Sequence, residues 1–178
     1  MLVGLLLFAV FHPLCAVCAQ TYSEADLRAV FLLNFPMFIK WPDEAFESVS
    51  SQFRYCVVGS QVLSDSLADV LADETVDQRR PRLVAADDPA AWRRCHILYL
   101  DGSFAYKGHQ VLSAVKGAPV LTIGDSEAFA RAGGMIALVR KGGKLRAVIN
   151  RAMAEREGIC ISSKLLRLAI LVSSGSGR

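Results

Sequence analysis

Gly124-Asp125-Ser126 is the segment that most resembles a catalytic motif, because it directly follows the apolar stretch 118–123. A serine placed there could act as a nucleophile if a base, usually a histidine, accepted its proton. The histidines, at positions 12, 96 and 109, all precede Ser126, and no Asp-x-x-His follows it. We therefore predict that Asp125 or Ser126 caps a helix over 126–132. The lack of such a base favours a protein without catalytic residues, and a hydrolase built on Ser126 is the least favoured alternative.

The other residues that could hold a metal or cofactor lack the spacing that such sites need. His96 and His109 have no carboxylate or cysteine at ligand spacing, so no metal site is predicted and His96 is expected to be a satisfied or half-buried histidine. The glycine pair within 141–144 joins two predicted strands and does not open a helix, as a phosphate-binding loop would. The only Cys-x-x-Cys spacing joins Cys15 to Cys18, inside the apolar amino terminus. No cofactor is expected.

The amino terminus has the pattern of a secretory signal. An apolar run over 2–11 is followed by Pro13 and by small residues that end at Ala19. About ten apolar residues are too few to span a bilayer, which needs about 20. We therefore predict export with cleavage near Ala19, which leaves 20–178 as a single domain. Residues 1–19 carry no charged side chain, so the net charge of +3 belongs to that domain and is too small to indicate nucleic-acid binding.

Three cysteines remain after cleavage: Cys56, Cys95 and Cys160. In an oxidising compartment this number favours one disulfide and one leftover thiol, and three pairings are open. Cys56 lies in a predicted strand and Cys95 immediately precedes another, so the two can meet if those strands are neighbours. Closing that loop would stabilise the fold by roughly 4 kcal/mol. Cys160 lies between two isoleucines and is expected to be a small buried side chain.

Apolar strands alternate with helical segments through the middle of the chain. We predict strands over 53–58, 82–85, 96–100 and 118–123, and helices over 63–72, 89–94 and 104–115. Short, continuously apolar strands separated by helices are typical of a parallel sheet that is covered on both faces.

The pattern changes near the carboxyl terminus, where 135–140 and 145–150 flank a Gly-Gly pair. This arrangement predicts an antiparallel hairpin in which Val139 faces Arg146 and Ile136 faces Ile149. A short helix over 151–157 and a final helix over 164–172 follow. The predicted fold class is therefore α/β: a single domain with a mixed, mainly parallel sheet, flanked by helices and ending in an antiparallel hairpin.

The first predicted helix is apolar on nearly every side. Ser23 and Asp26 suit a capping box at its start, and Pro36 should kink or end it. Four aromatic residues on this segment exceed what one core-facing stripe requires: Phe31, Phe35, Phe38 and Trp41. Two interpretations stay open, namely burial on two sides, or a surface for a partner or for a homodimer.

Two basic groups, at 79–82 and at 93–94, have no aromatic residues between their arginines. We interpret them as solvated loops, and export excludes nucleic acid as their partner. A basic rim for a protein partner stays open.

The stretch from Tyr22, YSEADLRAVFLLNFPMFIKWP, resembles the amino-terminal signature of the YfiR family, a helix of the form Ala-x-x-Leu-x-x-Phe-x-x-Trp-Pro. The similarity continues in FRYCVVGS, CHILYL, VLTIGDSEAFARAGGMIALV and KLRAVINRAMAEREGICISSKLLRLA. It covers almost all of the predicted mature chain. The resemblance implies a periplasmic α/β protein with a disulfide between Cys56 and Cys95.

The same resemblance implies a regulatory function. Such a protein would repress an inner-membrane diguanylate cyclase by binding its periplasmic sensor domain, which lowers cyclic-di-GMP and biofilm formation. An OmpA-like outer-membrane lipoprotein would relieve the repression by sequestering the repressor. This mechanism needs no catalytic residue, only two surfaces whose occupancy is coupled. A periplasmic small-molecule-binding sensor domain is the alternative.

Overall fold

A computed structural model describes residues 22–86 and 88–175; the predicted signal segment 1–19, with Cys15 and Cys18, lies outside them. The helices are α1 (Glu24–Asn34), α2 (Gln61–Leu71), α3 (Pro89–Trp92), α4 (Gly108–Val115), α5 (Glu127–Arg131), α6 (Arg151–Arg156) and α7 (Ser163–Leu168). The strands are β1 (Ile39–Lys40), β2 (Phe53–Val58), β3 (Pro81–Leu83), β4 (Ile97–Leu100), β5 (Leu121–Gly124), β6 (Ile136–Lys141), β7 (Lys144–Ile149), β8 (Cys160–Ile161) and β9 (Ile170–Leu171). Short 3-10 turns occupy Phe35–Phe38, Asp43–Ala45 and Gly102–Lys107.

Seven strands form one mixed sheet in the order β3-β2-β4-β5-β6-β7-β9. Neighbours are parallel except β6 and β7, which form the predicted antiparallel hairpin. Val139 pairs with Arg146 and Ile136 with Ile149, as predicted. Gly142 and Gly143 both have positive φ, which the two-residue turn requires. The predicted α/β class and mainly parallel sheet are confirmed.

Alternate side chains of the central strands enter two separate layers of the core. Phe53, Tyr55, Ile97, Tyr99 and Ile123 pack toward α1 and α2, where α7 also contributes partly buried side chains. The intervening positions, including Cys56, Leu98 and Leu100, pack toward α3 and α4. The parallel strands are therefore apolar on both faces because helices cover both faces.

The end of the chain differs from the prediction. Helix α7 ends at Leu168, and the next residues form β9, in which Ile170 pairs in parallel with Val148 of β7. The prediction of a helix over 164–172 is therefore wrong after Leu168. The branched residues Ile170 and Val172 suit an extended segment, and β7 offers them an unpaired edge.

The environment of Cys160 also differs from the prediction, because its side chain is exposed. β8 pairs antiparallel with β1, and Cys160 lies opposite the exposed Lys40. Because side chains alternate along an extended segment, Ile159 is fully buried while Cys160 faces outward. The prediction that Cys160 is a small buried side chain is therefore wrong.

The disulfide joins Cys56 of β2 to Cys95, which lies just before β4. β2 and β4 are parallel neighbours, and the two Cα atoms lie 6.0 Å apart. The pairing that the YfiR resemblance implied is confirmed, and both sulfurs lie in the layer that faces α3 and α4.

His96 is buried against two aromatic rings, with centroid distances of 4.5 Å to Phe46 and 4.9 Å to Phe53. Its Nδ1 accepts the backbone N–H of Arg54 at 2.9 Å, and its Nε2–H donates to the carbonyl of Ala45 at 3.0 Å. Both ring nitrogens are therefore satisfied by the neutral imidazole, and the prediction of a satisfied histidine is confirmed.

Arg79 extends the same stack, because its guanidinium lies 3.8 Å from the centre of the Phe46 ring. Its Nη1 donates to the carbonyls of Ser48, Val49 and Ser51 at 2.7, 2.9 and 3.1 Å. The prediction of a solvated loop was wrong for Arg79, which closes the loop before β2. Arg80, Arg82, Arg93 and Arg94 are exposed, but Arg82 lies in β3 and Arg93 Nη1 donates to the carbonyls of Ala114 and Lys116 at 2.7 and 3.0 Å, so the prediction holds only for Arg80 and Arg94.

Removing the disulfide should lower the free energy of unfolding. Replacing Cys56 and Cys95 by alanine frees a loop of 39 residues, and we expect a loss of about 4 kcal/mol in the chain-entropy model. Urea unfolding of both proteins measures the difference. Cys160→Ala is the matched control, since that thiol is exposed and unpaired, and it should change stability little. Equal stability of the double variant and the native chain would contradict a stabilising role for the bond.

The stability of the fold should decrease in acid because of His96. Burial, together with smaller effects of the Arg54 and Arg79 charges, lowers the pKa of His96 from 6.5 to about 4, although the hydrogen bond to Ala45 opposes this shift. The folded state therefore takes up a proton less readily than the unfolded state. The contribution of neutral His96 to the free energy of unfolding is complete above pH 6.5. It decreases by up to about 3 kcal/mol as the pH falls toward 4.

His96→Asn removes this titration, so the difference in unfolding free energy between native and variant protein should shrink between pH 7 and pH 4. Urea titrations at several pH values measure that difference. Carboxylates titrate equally in both proteins and cancel. A difference that does not change with pH would contradict the prediction.

Candidate functional site

The aromatic segment at the start of the fold changes conformation at Pro36. The predicted capping box is present, since Ser23 and Asp26 each accept the other's backbone N–H. Helix α1 then ends at Asn34, and the chain continues as a 3-10 turn with Pro36 in its first turn. Pro36 has no backbone N–H to donate to a preceding carbonyl, and the predicted interruption of the helix at this residue is confirmed.

The four predicted aromatic residues separate into two pairs. Phe35 and Trp41 are buried, and Trp41 packs edge-on against Phe53 with centroids 5.0 Å apart. Phe31 and Phe38 are half-buried. Burial therefore accounts for Phe35 and Trp41, while Phe31 and Phe38 keep a solvent-accessible side.

Phe31, Phe35 and Phe38 form one wall of an apolar groove with a cavity volume of about 380 Å³. Helix α7 forms the opposite wall and β7 forms the floor. The lining residues are Val30, Phe31, Asn34, Phe35, Phe38, Leu145, Arg146, Ala147, Leu165 and Leu168. Val30 and Leu168, one on each wall, are exposed. An exposed apolar groove with this composition is typical of a surface that binds another molecule.

The charged side chains around the groove are cationic. Arg146 of β7 lines the groove and Lys164 belongs to α7, and both residues are exposed. Lys164 Nζ lies 5.6 Å from the centre of the Phe38 ring, so this charge is next to the apolar wall. The site thus combines apolar walls with a positive rim.

The Gly124-Asp125-Ser126 segment lies at the carboxyl end of β5 and serves the fold. Ser126 caps α5, its Oγ accepting the N–H of Phe129 at 3.2 Å. Asp125 accepts the N–H of Gly102 through Oδ2 at 2.6 Å. His109 borders the same cavity as Ser126, but within 22–86 and 88–175 no hydrogen bond joins them. The nucleophile–base contact that a serine hydrolase requires is not present between these residues.

Asp125 also anchors α1 to the sheet. Arg28 Nε donates to Tyr99 Oη at 2.8 Å and to Asp125 Oδ1 at 3.2 Å, and the Tyr99 hydroxyl donates to the same carboxylate oxygen. Tyr99 is fully buried, so its hydroxyl needs such a partner. Glu24 bonds Arg28 within the helix and lies 3.4 Å from Arg140 of the hairpin. This network fixes α1, one wall of the groove, against β4, β5 and β6.

The network also changes the ionisation of its members. Burial alone would lower the pKa of Arg28, but the hydrogen bond to Glu24 and the charges of Asp125 and Glu24 outweigh it and raise that pKa. The hydrogen bond from Arg28 lowers the pKa of the Glu24 carboxyl. Both groups therefore stay charged at neutral pH, and the network stays intact.

A second cavity of about 340 Å³ lies beside this network, at the carboxyl ends of β4 and β5. Leu100, Gly124 and Phe129 border it. Ligands of open α/β sheets commonly bind at this edge. Its carboxylates are occupied, because Asp125 serves the α1 network and Asp101 accepts the N–H of Ser103 at 3.0 Å.

In the part of the chain that the structure describes, no set of three or more histidine, cysteine or acidic side chains could hold a metal ion. Over the same residues, no helix has the length and apolar character needed to cross a membrane.

Two parts of the site could not be found from the sequence. The groove needs α7 and β7 beside α1, and neither the end of α7 nor the pairing of β9 was foreseen. In the Arg28–Tyr99–Asp125 contact, Arg28 and Tyr99 are 71 positions apart in the chain, and Tyr99 and Asp125 are 26 positions apart. The only available signal was a tyrosine inside an otherwise apolar strand, whose hydroxyl had to find a partner.

A family profile described as YfiR/HmsC-like matches residues 25–170 of this chain. The match includes α1, the parallel strands, the hairpin and α7, and therefore every wall of the groove.

Two solved structures share the fold at low sequence identity. The ABC domain from Streptococcus pneumonia, crystallised in complex with L-Trp, superposes with a TM-score of 0.52 at 14% identity, over 68% of this chain. A conserved domain protein from Vibrio cholerae superposes with a TM-score of 0.53 at 13% identity, over 84% of this chain. The chain spans 55% and 60% of those two chains. These similarities concern the fold alone.

Removing the anchor of α1 should destabilise the protein. Asp125→Ala leaves the Tyr99 hydroxyl and the Arg28 guanidinium without their common acceptor, and we expect a loss of about 2 kcal/mol in unfolding free energy. Asp101→Ala is the matched control, because that aspartate also follows a parallel strand but bonds only Ser103 nearby. It should cost about 1 kcal/mol or less. Urea unfolding measures both, and equal losses would contradict the anchoring role.

Proposed function

Because this chain belongs to the YfiR/HmsC-like family, we propose that it represses an inner-membrane diguanylate cyclase by binding that enzyme's periplasmic sensor domain. The family is one of periplasmic, non-catalytic regulators of cyclic-di-GMP signalling. Repression lowers cyclic-di-GMP and biofilm formation. An OmpA-like outer-membrane lipoprotein relieves it by sequestering the repressor.

The apolar groove is the observation that carries this proposal. It combines half-buried aromatic side chains with exposed aliphatic ones on two opposing walls. Aromatic anchors surrounded by contacts that exclude water are typical of the centre of a protein interface. Phe31 and Phe38 are therefore the residues of this segment on which we expect binding to depend, with Phe35 supporting them from the core.

Repression of this kind is stoichiometric. The cyclase and the lipoprotein compete if both need the groove, so occupancy by one prevents occupancy by the other. The anchor of α1 on Asp125 supports such a site, because a groove whose wall is held rigidly loses less conformational entropy on binding.

Small-molecule sensing is the second candidate function. The cavity at the carboxyl ends of β4 and β5 favours it, because open α/β sheets bind ligands at that edge. It ranks second because Asp101 and Asp125, the carboxylates there, are engaged by hydrogen bonds within the protein.

Replacing an exposed groove residue by a charged one should abolish repression without unfolding the protein. Leu168 lines the groove and is 69% exposed, so Leu168→Glu costs little core packing but places a carboxylate in the apolar site. Deleting the gene in the native host should raise intracellular cyclic-di-GMP. The native gene should restore the low level, and the Leu168→Glu gene should not.

Val62→Glu is the matched control, because Val62 is 66% exposed on α2, outside the groove. This variant should restore repression fully. Immunoblots of periplasmic fractions verify that the three proteins are present in equal amounts. If deletion leaves cyclic-di-GMP unchanged while the protein is expressed, the proposal of a repressor is wrong. If Leu168→Glu represses as well as the native protein, the groove is not its binding surface.

A further inference from the structure

A third cavity, separate from the groove, is lined by residues of α4, of α6 and of the segment that leads into β6. Its volume is about 230 Å³, and no residue lines both this cavity and the groove. A cavity of about 150 Å³ can hold benzene, so this one accommodates an organic molecule that is somewhat larger than a benzene ring.

Apolar side chains form a large part of the cavity wall. Val115 and Met135 are buried, and Leu112 and Met153 are half-buried. The two thioethers are flexible and polarizable, so they can adapt to ligands of different shape. Such a wall favours a ligand with an apolar body over an inorganic ion, which would leave these side chains without a partner.

Two cations, Lys116 and Arg156, line the same cavity, and both are exposed. Neither belongs to an ion pair between the residues that the structure describes. Arg156 Nη1 lies 3.4 Å from Sδ of Met153, and a thioether is only a weak acceptor. This contact places the guanidinium beside the apolar wall, where it has a strong unused capacity to donate to an anion.

The negative groups near the cavity are already bound by the protein. Among the described residues that line it, Glu157 is the one acidic side chain, and its Oε2 accepts the N–H of Gly117 at 2.8 Å. The carbonyls of Ala114 and Lys116, at the end of α4, accept from Arg93 Nη1 at 2.7 and 3.0 Å. The carboxyl end of a helix would otherwise repel an anion. The two cations of the cavity therefore remain available for a ligand.

Thr122 adds a neutral donor to the cavity wall. It is 1% exposed, and its Oγ1 accepts the N–H of Met135 at 3.1 Å. Within 22–86 and 88–175, its hydroxyl hydrogen is donated to no protein acceptor. Because buried hydroxyls normally donate a hydrogen bond, an oxygen atom of a ligand is a suitable acceptor here.

We propose that this cavity binds a small organic monocarboxylate. Its carboxylate pairs with Arg156 and Lys116, and its apolar body lies against the methionine, leucine and valine side chains of the wall. A guanidinium can bind a carboxylate through two parallel hydrogen bonds, whereas an alkylammonium would meet two like charges. This inference does not rest on the proposed function, since no groove residue takes part in it.

Hexanoate, hexan-1-ol and hexylammonium test the inference, because they share one apolar chain and differ in the head group. Labelling the predicted mature protein with methyl-¹³C methionine gives three signals, from Met37, Met135 and Met153. Methionine-to-leucine variants assign these signals, and NMR titration measures the dissociation constants. We expect hexanoate to shift the signals of Met135 and Met153 saturably, with a dissociation constant of about 1 mM or lower. Met37 lies outside the cavity and should not shift. The alcohol and the amine should bind at least about tenfold more weakly.

Arg156→Gln should weaken the binding of hexanoate by at least about tenfold, since it removes the charge and the paired donors. Lys116→Gln should weaken it by a smaller factor, because an ammonium acts as a point charge. Arg151→Gln is the matched control: Arg151 lies on the same helix and is exposed, but it does not line the cavity. This variant should bind hexanoate as the native protein does. Circular dichroism and thermal melting verify that all three variants are folded.

Four results would overturn the inference: equal affinity for the three compounds, no saturable shift of Met135 or Met153, an equal shift of Met37, or equal weakening by Arg151→Gln. Neither Met135 nor Met153 lines the cavity at the carboxyl ends of β4 and β5, so their shifts distinguish the two cavities. Leu168→Glu, which changes the groove, should leave the affinity for hexanoate unchanged. Failure of the proposed function and failure of this inference are therefore observed separately.

Discussion

A parallel sheet whose strands are apolar on both sides must be covered on both sides, and most of this protein follows from that constraint. α1, α2 and α7 lie on one face, and α3 and α4 lie on the other. Coverage is incomplete above β7, where α1 and α7 leave the groove between them. The proposed binding surface is therefore the part of the sheet that the helices leave uncovered.

The position of α1 decides the shape of that opening. Packing alone would allow a helix with apolar residues on several sides to rotate or slide, because many side chains could serve as its buried stripe. The Arg28–Tyr99–Asp125 contact removes that freedom, since a buried hydroxyl and a largely buried guanidinium must meet one carboxylate. The polar network thus specifies which aromatic residues face the core and which face the groove.

Local patterns predicted much of the fold, and contacts between distant segments explain the errors. The Gly-Gly pair determined the hairpin and its register, and Pro36 determined where α1 ends. Cys160 was misjudged because its exposure depends on β8 pairing with β1, a partner about 120 positions away in the chain. The Gly124-Asp125-Ser126 segment was correctly assigned to a helix start, but the role of Asp125 depends on Arg28, which no local pattern links to it.

The disulfide and the groove lie on opposite faces of the sheet, which limits how redox state could affect binding. Cys56 and Cys95 belong to the layer under α3 and α4, so neither sulfur contacts a groove residue directly. One route between them runs through β4, which begins just after Cys95 and carries Tyr99, the buried residue that anchors Arg28 of α1. By this route, loss of the bond would affect the groove if it displaced β4 enough to disturb that hydroxyl. Because β4 is also held by β2 and β5 along its length, the disulfide acts first as a staple of the sheet, and any redox effect on binding requires a second arrangement of Tyr99 and α1.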